Sequence, residues 1–114
     1  IVRTKGGKML NQVVLIGRIV RDLELVKKDT SKYCRLLLAV PRSFKNAEGV
    51  YESDFIDCLL WNNMASNTCE YCKKGDLVGL RGRLQSSRYE KDGEMVYKTE
   101  IIGEKVTFLS KKEG

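Results

Sequence analysis

Residues 54–61 read DFIDCLLW and are the most informative strand-like run in the chain. Alternate side chains of a β-strand point to opposite faces, so Ile56, Cys58 and Leu60 share one face. The other face holds Phe55, Asp57, Leu59 and Trp61. A protein core explains only one apolar face, and the second has two aromatic rings roughly 20 Å apart along the strand. We therefore expect this strand to be covered by a core on one side and by something flat on the other.

Size and composition predict a single soluble domain with an anionic partner. A length of 114 residues, with 42% hydrophobic and 32% charged residues, is ordinary for one globular domain. The net charge of +6 suggests nucleic acid. Residues 1–8 hold three of the 21 basic residues and no acid, which leaves 18 basic against 15 acidic residues elsewhere. The placement of the charges therefore matters more than their sum.

The first residues show no secretory signal. Residues 1–8 lack an apolar segment, and Met9 is a plausible natural start, so we interpret residues 1–8 as an N-terminal extension or processing remnant. The domain is predicted to cover residues 9–110, followed by a short end at 111–114. Without a secretion signal, the cysteines are expected to be reduced thiols in a cytoplasmic protein. They are Cys34, Cys58, Cys69 and Cys72.

Three strand-like runs precede residue 62, at residues 11–20, 33–40 and 54–61. Gly17 lies inside the first run and predicts a bulge or bend, and residues 23–26 extend that run. The second run is predicted to end at Pro41, which cannot donate a ladder hydrogen bond. Turn residues at 46–49 predict a long hairpin into the third strand.

Residues 63–74 change to a helical period. Their small and apolar residues form one stripe, Met64, Ala65, Thr68, Cys69 and Cys72. We expect Asn62 or Asn63 to cap the start of this helix, and Gly75 to close its end after Lys73 and Lys74 in the last turn. The sequence thus predicts one short helix in an otherwise all-β chain.

Two further strands follow the helix. Residues 76–85 alternate in polarity, and Asp92 with Gly93 predicts a hairpin turn into a last strand at 95–109. Three strands, one helix and two strands is the element order of the OB-fold, a five-stranded, partly open barrel. A small sandwich with one helix would have the same order.

Four aromatic residues lie on the parts of an OB barrel that line its binding face, and we call them the aromatic set: Phe44, Phe55, Trp61 and Tyr89. Basic residues surround them: Arg42, Lys45, Arg81, Arg83, Arg88 and Lys91. Rings give any base a surface for stacking, and neighbouring cations follow the phosphates. This combination predicts sequence-tolerant binding of single-stranded nucleic acid.

An aromatic residue in a strand is more often part of the core, so each ring needs its own argument. Phe55 and Trp61 lie opposite a face that already supplies the core. Phe44 lies between two basic residues in a polar loop, and Tyr89 lies between Arg88 and Glu90. Of the remaining aromatic residues, Tyr33, Tyr71 and Phe108 are predicted to pack in the protein, and the sequence does not assign a role to Tyr51 or Tyr97.

Six motifs follow one another in order: MLNQVVLIGR at 9–18, DLEL at 22–25, AVPRSFKN at 39–46, SDFIDCLLW at 53–61, EYCKKGDLVGLRGRLQ at 70–85 and YKTEII at 97–102. Together they resemble the bacterial single-stranded DNA-binding protein (SSB) family. The resemblance implies that the aromatic set stacks on DNA bases. It also implies a homotetramer of OB domains, wrapped by single-stranded DNA during replication, recombination and repair, in the cytoplasm and associated with the nucleoid.

The chain departs from that family in two respects. Members that recruit replication and repair enzymes end in a disordered linker and an acidic, phenylalanine-terminated tail, whereas this chain ends in KKEG at 111–114. It therefore resembles a tailless or truncated form, and partners that dock on the tail are not expected. Only one of the four stacking positions is a tryptophan, which predicts a somewhat lower affinity for bases than in tryptophan-rich relatives.

Neither catalysis nor a cofactor is expected. Asp54 and Asp57 are three residues apart in a strand, so they face opposite ways and cannot act as an acid–base pair or hold a metal. Histidine is absent, and the CxxC pair at 69–72 is interpreted as two thiols on one helix face, packed on the barrel. We expect no metal site, and a structural metal protein is the least favoured alternative.

Two other functions fit an OB-type chain. One is a primosomal replication accessory related to SSB, which bridges proteins, binds DNA weakly and would have a depleted aromatic set. The other is a protein-interaction module with no role in nucleic-acid binding. All four aromatic positions are filled here, which favours DNA binding.

Overall fold

The computed structural model of the chain describes residues 10–111. The expected extension at 1–8, the expected start at Met9 and residues 112–114 lie outside the described residues. The strands are β1 (Val13–Ile19), β2 (Leu25–Lys28), β3 (Ser31–Lys45), β4 (Tyr51–Trp61), β5 (Leu77–Lys91) and β6 (Glu94–Ser110). One helix, α1 (Asn62–Tyr71), lies between β4 and β5.

Five of the strands close into a ring. The order of neighbours is β1, β5, β6, β4 and β3, and β1 closes the ring by pairing with β3. The β4–β6 pair is parallel and the others are antiparallel. Strand β2, which the sequence predicted as an extension of the first strand, is a separate short strand on β3. The ring is that of an OB-fold, so the predicted fold class is confirmed.

Strand β1 completes the ring at Gly17. It pairs with β5 from Val13 to Arg18 and with β3 at Arg18 and Ile19. A Cβ atom on Gly17 would lie 2.7 Å from the carbonyl oxygen of Ala39. Glycine is therefore needed here for a close approach of two backbones. Of the two predicted alternatives, a bulge is absent because the β1–β5 register is regular.

Apolar side chains fill the inside of the ring. The largest fully buried ones are Ile19, Leu36, Leu38, Leu60, Val78 and Leu80. Helix α1 packs its predicted stripe on this core, with Ala65 and Thr68 buried and Met64 and Cys69 half-buried. The last predicted member, Cys72, is buried too, but it follows the helix in extended backbone, so the two thiols of the CxxC pair do not share one helix face.

The predicted end of the second strand is wrong. Strand β3 does not end at Pro41 but continues to Lys45, and its register with β4 shifts between these two residues. Proline removes one hydrogen-bond donor, and the strand accommodates this loss by an irregularity. The result is a longer hairpin than the sequence predicted, with its turn at residues 46–50.

The helix ends also differ from the prediction. Trp61 is the N-cap residue and makes no side-chain cap hydrogen bond, so neither Asn62 nor Asn63 has the expected role. The helix ends at Tyr71, before Lys73, Lys74 and Gly75. Gly75, with a φ of 96°, instead donates its N–H to the Ile19 carbonyl oxygen over 2.7 Å and joins the loop to β1.

The β5–β6 turn has the predicted form. Asp92 and Gly93 both have positive φ, at 52° and 81°, which is the requirement of a two-residue type I′ turn. None of the helices within residues 10–111 is long and apolar enough to span a membrane.

Candidate nucleic-acid interface

Strand β4 supplies the centre of the site. Phe55 is 67% and Trp61 41% exposed, while Cys58 and Leu60 on the opposite face are buried. Leu59 shares the outer face but is buried beside Ile102, its partner on β6. On the outer face of β4, the open ring of Phe55 near the middle of the strand and that of Trp61 at its end are therefore separated by the exposed Asp57 and the buried Leu59.

Tyr33 lies next to Trp61. The two residues are directly opposite each other on β3 and β4, and their ring centroids are 5.5 Å apart at an interplanar angle of 52°. This tilted contact is typical of favourable aromatic pairs. Tyr33 does pack, as expected, but it packs on a residue of the aromatic set and at the protein surface.

Phe44 and Tyr89 lie on two hairpin arms. The β3–β4 arm comprises residues 41–53 and the β5–β6 arm residues 85–100. Because β4 and β6 run parallel, both arms leave the ring at the same end. Phe44 is 63% and Tyr89 51% exposed, so the structure leaves all four rings of the aromatic set accessible.

Local hydrogen bonds hold the tip of the β3–β4 arm. The Asn46 Oδ1 atom accepts from the N–H groups of Glu48 and Val50, at 2.9 and 3.0 Å. The Asn46 Nδ2 atom donates to Glu52 over 2.9 Å. Gly49 has a φ of 78°, which favours glycine. The arm that presents Phe44 is thus ordered by its own side chains.

Arg42 is already paired with carboxylates. Its Nη2 atom donates to Asp54 over 2.8 Å, and its Nη1 atom to Glu52 over 3.2 Å. The hydrogen bond that the Arg42 guanidinium donates to Asp54 lowers the pKa of Asp54 and raises the pKa of Arg42. On the same arm the Lys45 Nζ atom lies 5.6 Å from the centre of the Tyr51 ring. A phosphate at Arg42 would have to replace two anions.

The basic residues of β5 fall into two groups. Arg88 and Lys91 lie on the same arm as Tyr89. The side chains of Tyr89 and Lys91 share one face of β5, and that of Arg88 points to the other face. The cross-strand partner of Arg88 on β6 is Tyr97. Arg83 is 3.9 Å from Glu104. Arg81 lies on the outer face of β5, two strands from β4 around the ring, and the structure does not bring it close to the aromatic set.

Sequence reasoning missed two arginines on the outer face of the barrel. With Tyr33, Arg21 and Arg35 line a cavity of about 350 Å³. Arg21 lies 3.4 Å from Asp57, and Arg35 lies 4.0 Å from Glu100. Alternation in β3 could have identified Arg35, because Cys34 and Leu36 on either side are buried. No local pattern identifies Arg21, which lies in a loop.

Several other aromatic residues are more open than expected. Tyr71 and Phe108 were assigned to packing, but both are exposed. Tyr51 and Tyr97, which the sequence left open, are exposed as well. Tyr71 lies on α1, away from the two arms.

The cysteines are thiols in or near the core. Burial raises the pKa of Cys58 to about 12, and burial together with a hydrogen bond to Cys69 raises that of Cys34 to about 12. Within residues 10–111, no cluster of three or more histidine, cysteine, aspartate or glutamate residues is arranged to hold a metal ion.

Residues 10–109, which are nearly the whole chain, match the single-strand binding protein family. The chain belongs to this family. The predicted resemblance is therefore confirmed, and so is the prediction that the chain is not an enzyme, because the family consists of non-enzymatic DNA-binding proteins.

Individual relatives agree with this assignment. Single-stranded DNA-binding protein B of Bacillus subtilis (strain 168) is 44% identical over 106 residues, which cover 91% of this chain and 94% of that protein. Single-stranded DNA-binding protein 1 of Streptococcus pyogenes serotype M18 is 42% identical over 108 residues, which cover 93% of this chain and 83% of that protein.

A solved structure has the same fold. It is a deletion mutant of the single-stranded DNA binding protein from Thermus aquaticus, with a TM-score of 0.75 and 26% sequence identity. The similarity covers 89% of this chain and 51% of that chain, so this chain spans about half of the Thermus protein.

Proposed function

We propose that this protein binds and protects single-stranded DNA without strict sequence selection, in DNA replication, recombination and repair. The observation that best supports the proposal is that all four side chains of the aromatic set are accessible. Two of them lie on β4, and the other two lie on the two arms, which leave the barrel at the same end. Membership of the single-strand binding protein family agrees with it.

Base stacking supplies most of the affinity in this proposal. Phe44, Phe55, Trp61 and Tyr89 each stack on a base, worth about 1 to 3 kcal/mol per base. Four such contacts give roughly 4 to 12 kcal/mol per protomer before the entropy of ordering the DNA is subtracted. Tyr33 holds the Trp61 ring in place, so this platform is already formed in the free protein.

Basic residues neutralise phosphates along the same path. Lys45 and Lys91 lie on the arms that carry Phe44 and Tyr89, Arg88 lies on the other face of the β5–β6 arm, and Arg42 exchanges its carboxylates for a phosphate. Arg83 lies further around the barrel, where only a strand that wraps the protein would meet it. Arg81 lines a cavity together with Val14 and Ile16, so DNA would reach it only at the edge of that apolar patch. The logarithm of the affinity should fall with the logarithm of salt concentration by about 0.7 for each phosphate neutralised.

The proposal includes a homotetramer. Val14, Ile16 and Leu109 are exposed apolar residues that line one cavity of about 270 Å³ on the outer face of β1, β5 and β6. A contiguous apolar patch on a small domain is typical of an interaction surface. Copies of the chain that meet through this patch would leave the aromatic face of β4 free for DNA.

Removal of the Trp61 ring tests the stacking assignment. Trp61→Ala should weaken binding of an oligo(dT) of about 35 nucleotides by about 1 to 3 kcal/mol, measured by anisotropy of a labelled oligonucleotide. Trp61 is the only tryptophan, so the same DNA should also quench the fluorescence of the unmodified protein.

Tyr71→Ala is the matched control, because it removes an exposed ring from α1, away from the two arms. Equal affinities of the two variants would refute the stacking role of Trp61. Absence of binding by the unmodified protein would refute the proposed function and favour the protein-interaction alternative.

A further inference from the structure

A carboxylate lies among the rings of the DNA face. Asp57 is on the outer face of β4, between Phe55 and Trp61, and its side chain is 56% exposed. Alternate residues of a strand are about 6.6 Å apart, so Ser53 and Asp57 are the polar side chains along β4 nearest to a base stacked on Phe55, and Asp57 is the charged one. A negative charge at this position is unexpected on a surface that binds a polyanion.

Asp57 has unused capacity to accept hydrogen bonds. Its Oδ1 atom lies 3.4 Å from the Arg21 Nη2 atom, a single long contact between two exposed side chains. In the part of the chain that the structure describes, Oδ2 has no hydrogen-bond partner. A carboxylate can accept about four hydrogen bonds, so most of these positions are open to a ligand.

The four bases differ in what they offer to such an acceptor. Cytosine has an N4 amine, adenine an N6 amine and guanine an N2 amine, whereas thymine has a carbonyl oxygen, O4, at the place of the cytosine amine. An ionised carboxylate accepts hydrogen bonds and cannot donate them. It therefore attracts the amine of a stacked cytosine and repels the O4 atom of a thymine or uracil.

We propose that Asp57 sets a base preference, by accepting a hydrogen bond from the exocyclic amine of the base that stacks on Phe55. The preference is for cytosine, adenine and guanine over thymine at this one position. The inference rests on the proposed DNA binding and adds to it a residue that reads the base. Repulsion between Asp57 and phosphates also exists, but it affects all sequences equally and cannot create a preference.

The test compares oligo(dC) with oligo(dU), two pyrimidine strands that differ in the amine or oxygen at position 4 of the base. Affinities of short strands are measured at one salt concentration for the unmodified protein and for Asp57→Asn. The dC-to-dU affinity ratio should fall about fivefold in the variant, because asparagine donates to O4 as well as accepting from the amine. Asp57 is exposed, so the variant should remain folded.

Glu52→Gln is the matched control. It removes the same charge from the same strand, but residue 52 has the opposite parity to Phe55 and Asp57, so its side chain points to the other face. It should change the affinities for oligo(dC) and oligo(dU) by the same factor and leave their ratio unaltered.

A second measurement needs no variant. In the unmodified protein, a strand of N4,N4-dimethylcytosine, which lacks the amine hydrogens, should bind about fivefold more weakly than oligo(dC). An unchanged ratio in Asp57→Asn, or equal binding of the methylated strand, would overturn the base preference while DNA binding itself remains. Failure of the unmodified protein to bind any strand would instead overturn the proposed function.

Discussion

Cys58 makes the stability of the barrel depend on pH. Burial, followed by the charge of Asp57, raises its pKa from 9.0 to about 12. Between these pH values the folded thiol keeps a proton that the unfolded chain has lost, so the folded state binds more protons. The contribution of the protonated Cys58 thiol to the free energy of unfolding is fully present below pH 9.0 and is lost as the pH rises toward about 12.

Cys58→Ala should therefore reduce the dependence of stability on pH. Above pH 9.0, the free energy of unfolding should fall less steeply in the variant, by about 1.4 kcal/mol per pH unit. Urea unfolding at a series of alkaline pH values measures this slope. Val78→Ala, a core truncation without a titratable group, should lower stability but keep the original slope, and identical slopes in all three proteins would contradict the assignment.

At the scale of single residues, the sequence predicts what alternation along one strand can show. The exposure of Phe55 and Trp61 followed from the apolar residues between them. The contact of Tyr33 with Trp61 did not, because it depends on the register of two strands 28 positions apart in the chain. The contact of Arg42 with Asp54 arises in the irregular part of the same strand pair, after Pro41, which a local pattern cannot reveal.

Strand β5 contains two glycines with different surroundings. The β5–β6 register shifts between Arg81 and Gly82, and a Cβ atom on Gly82 would overlap the carbonyl oxygen of Ile102. A Cβ atom on Gly79 would meet nothing closer than 3.9 Å. Only Gly82 is needed for the close approach of β5 to β6.

Gly82→Ala should destabilise the protein by about 2 to 4 kcal/mol, because the backbone of β5 or β6 must move. Gly79→Ala should change stability by less than about 1 kcal/mol, since the methyl group makes ordinary contacts and alanine lowers the entropy of the unfolded chain. Thermal or urea unfolding of the two variants compares them. Similar losses in both would show that β5 tolerates neither side chain, contrary to this account.

At the scale of elements, local signals predicted the order of strands and helix and the turn at Asp92 and Gly93. The errors at Pro41 and at the helix ends have one cause. A partner strand continues β3 past a residue that alone would end it, and contacts with the barrel fix where α1 begins and ends. These tertiary contacts override the local preferences from which the boundaries were predicted.

The whole molecule is expected to assemble through the patch of Val14, Ile16 and Leu109. Ile16→Glu should dissociate the proposed tetramer, because a charge replaces an exposed apolar side chain at the interface without disturbing the core. Light scattering gives the mass, and circular dichroism checks that the fold is kept.

Val50→Glu is the control, since Val50 is an exposed apolar residue at the tip of the β3–β4 arm. It should leave the mass unchanged. A tetramer in Ile16→Glu would exclude this patch as the interface, and a monomeric unmodified protein would refute the tetramer.

The ion pairs of Arg42 bear on how the whole protein would hold and release DNA in the proposed function. With no ligand present, the Arg42 guanidinium is already paired with Asp54 and Glu52. In the proposed complex a DNA phosphate takes the place of these carboxylates, so Arg42 adds only the difference in free energy between the two sets of ion pairs. When the strand departs, both carboxylates pair with the guanidinium again, and the free arm keeps no unpaired cation at this position.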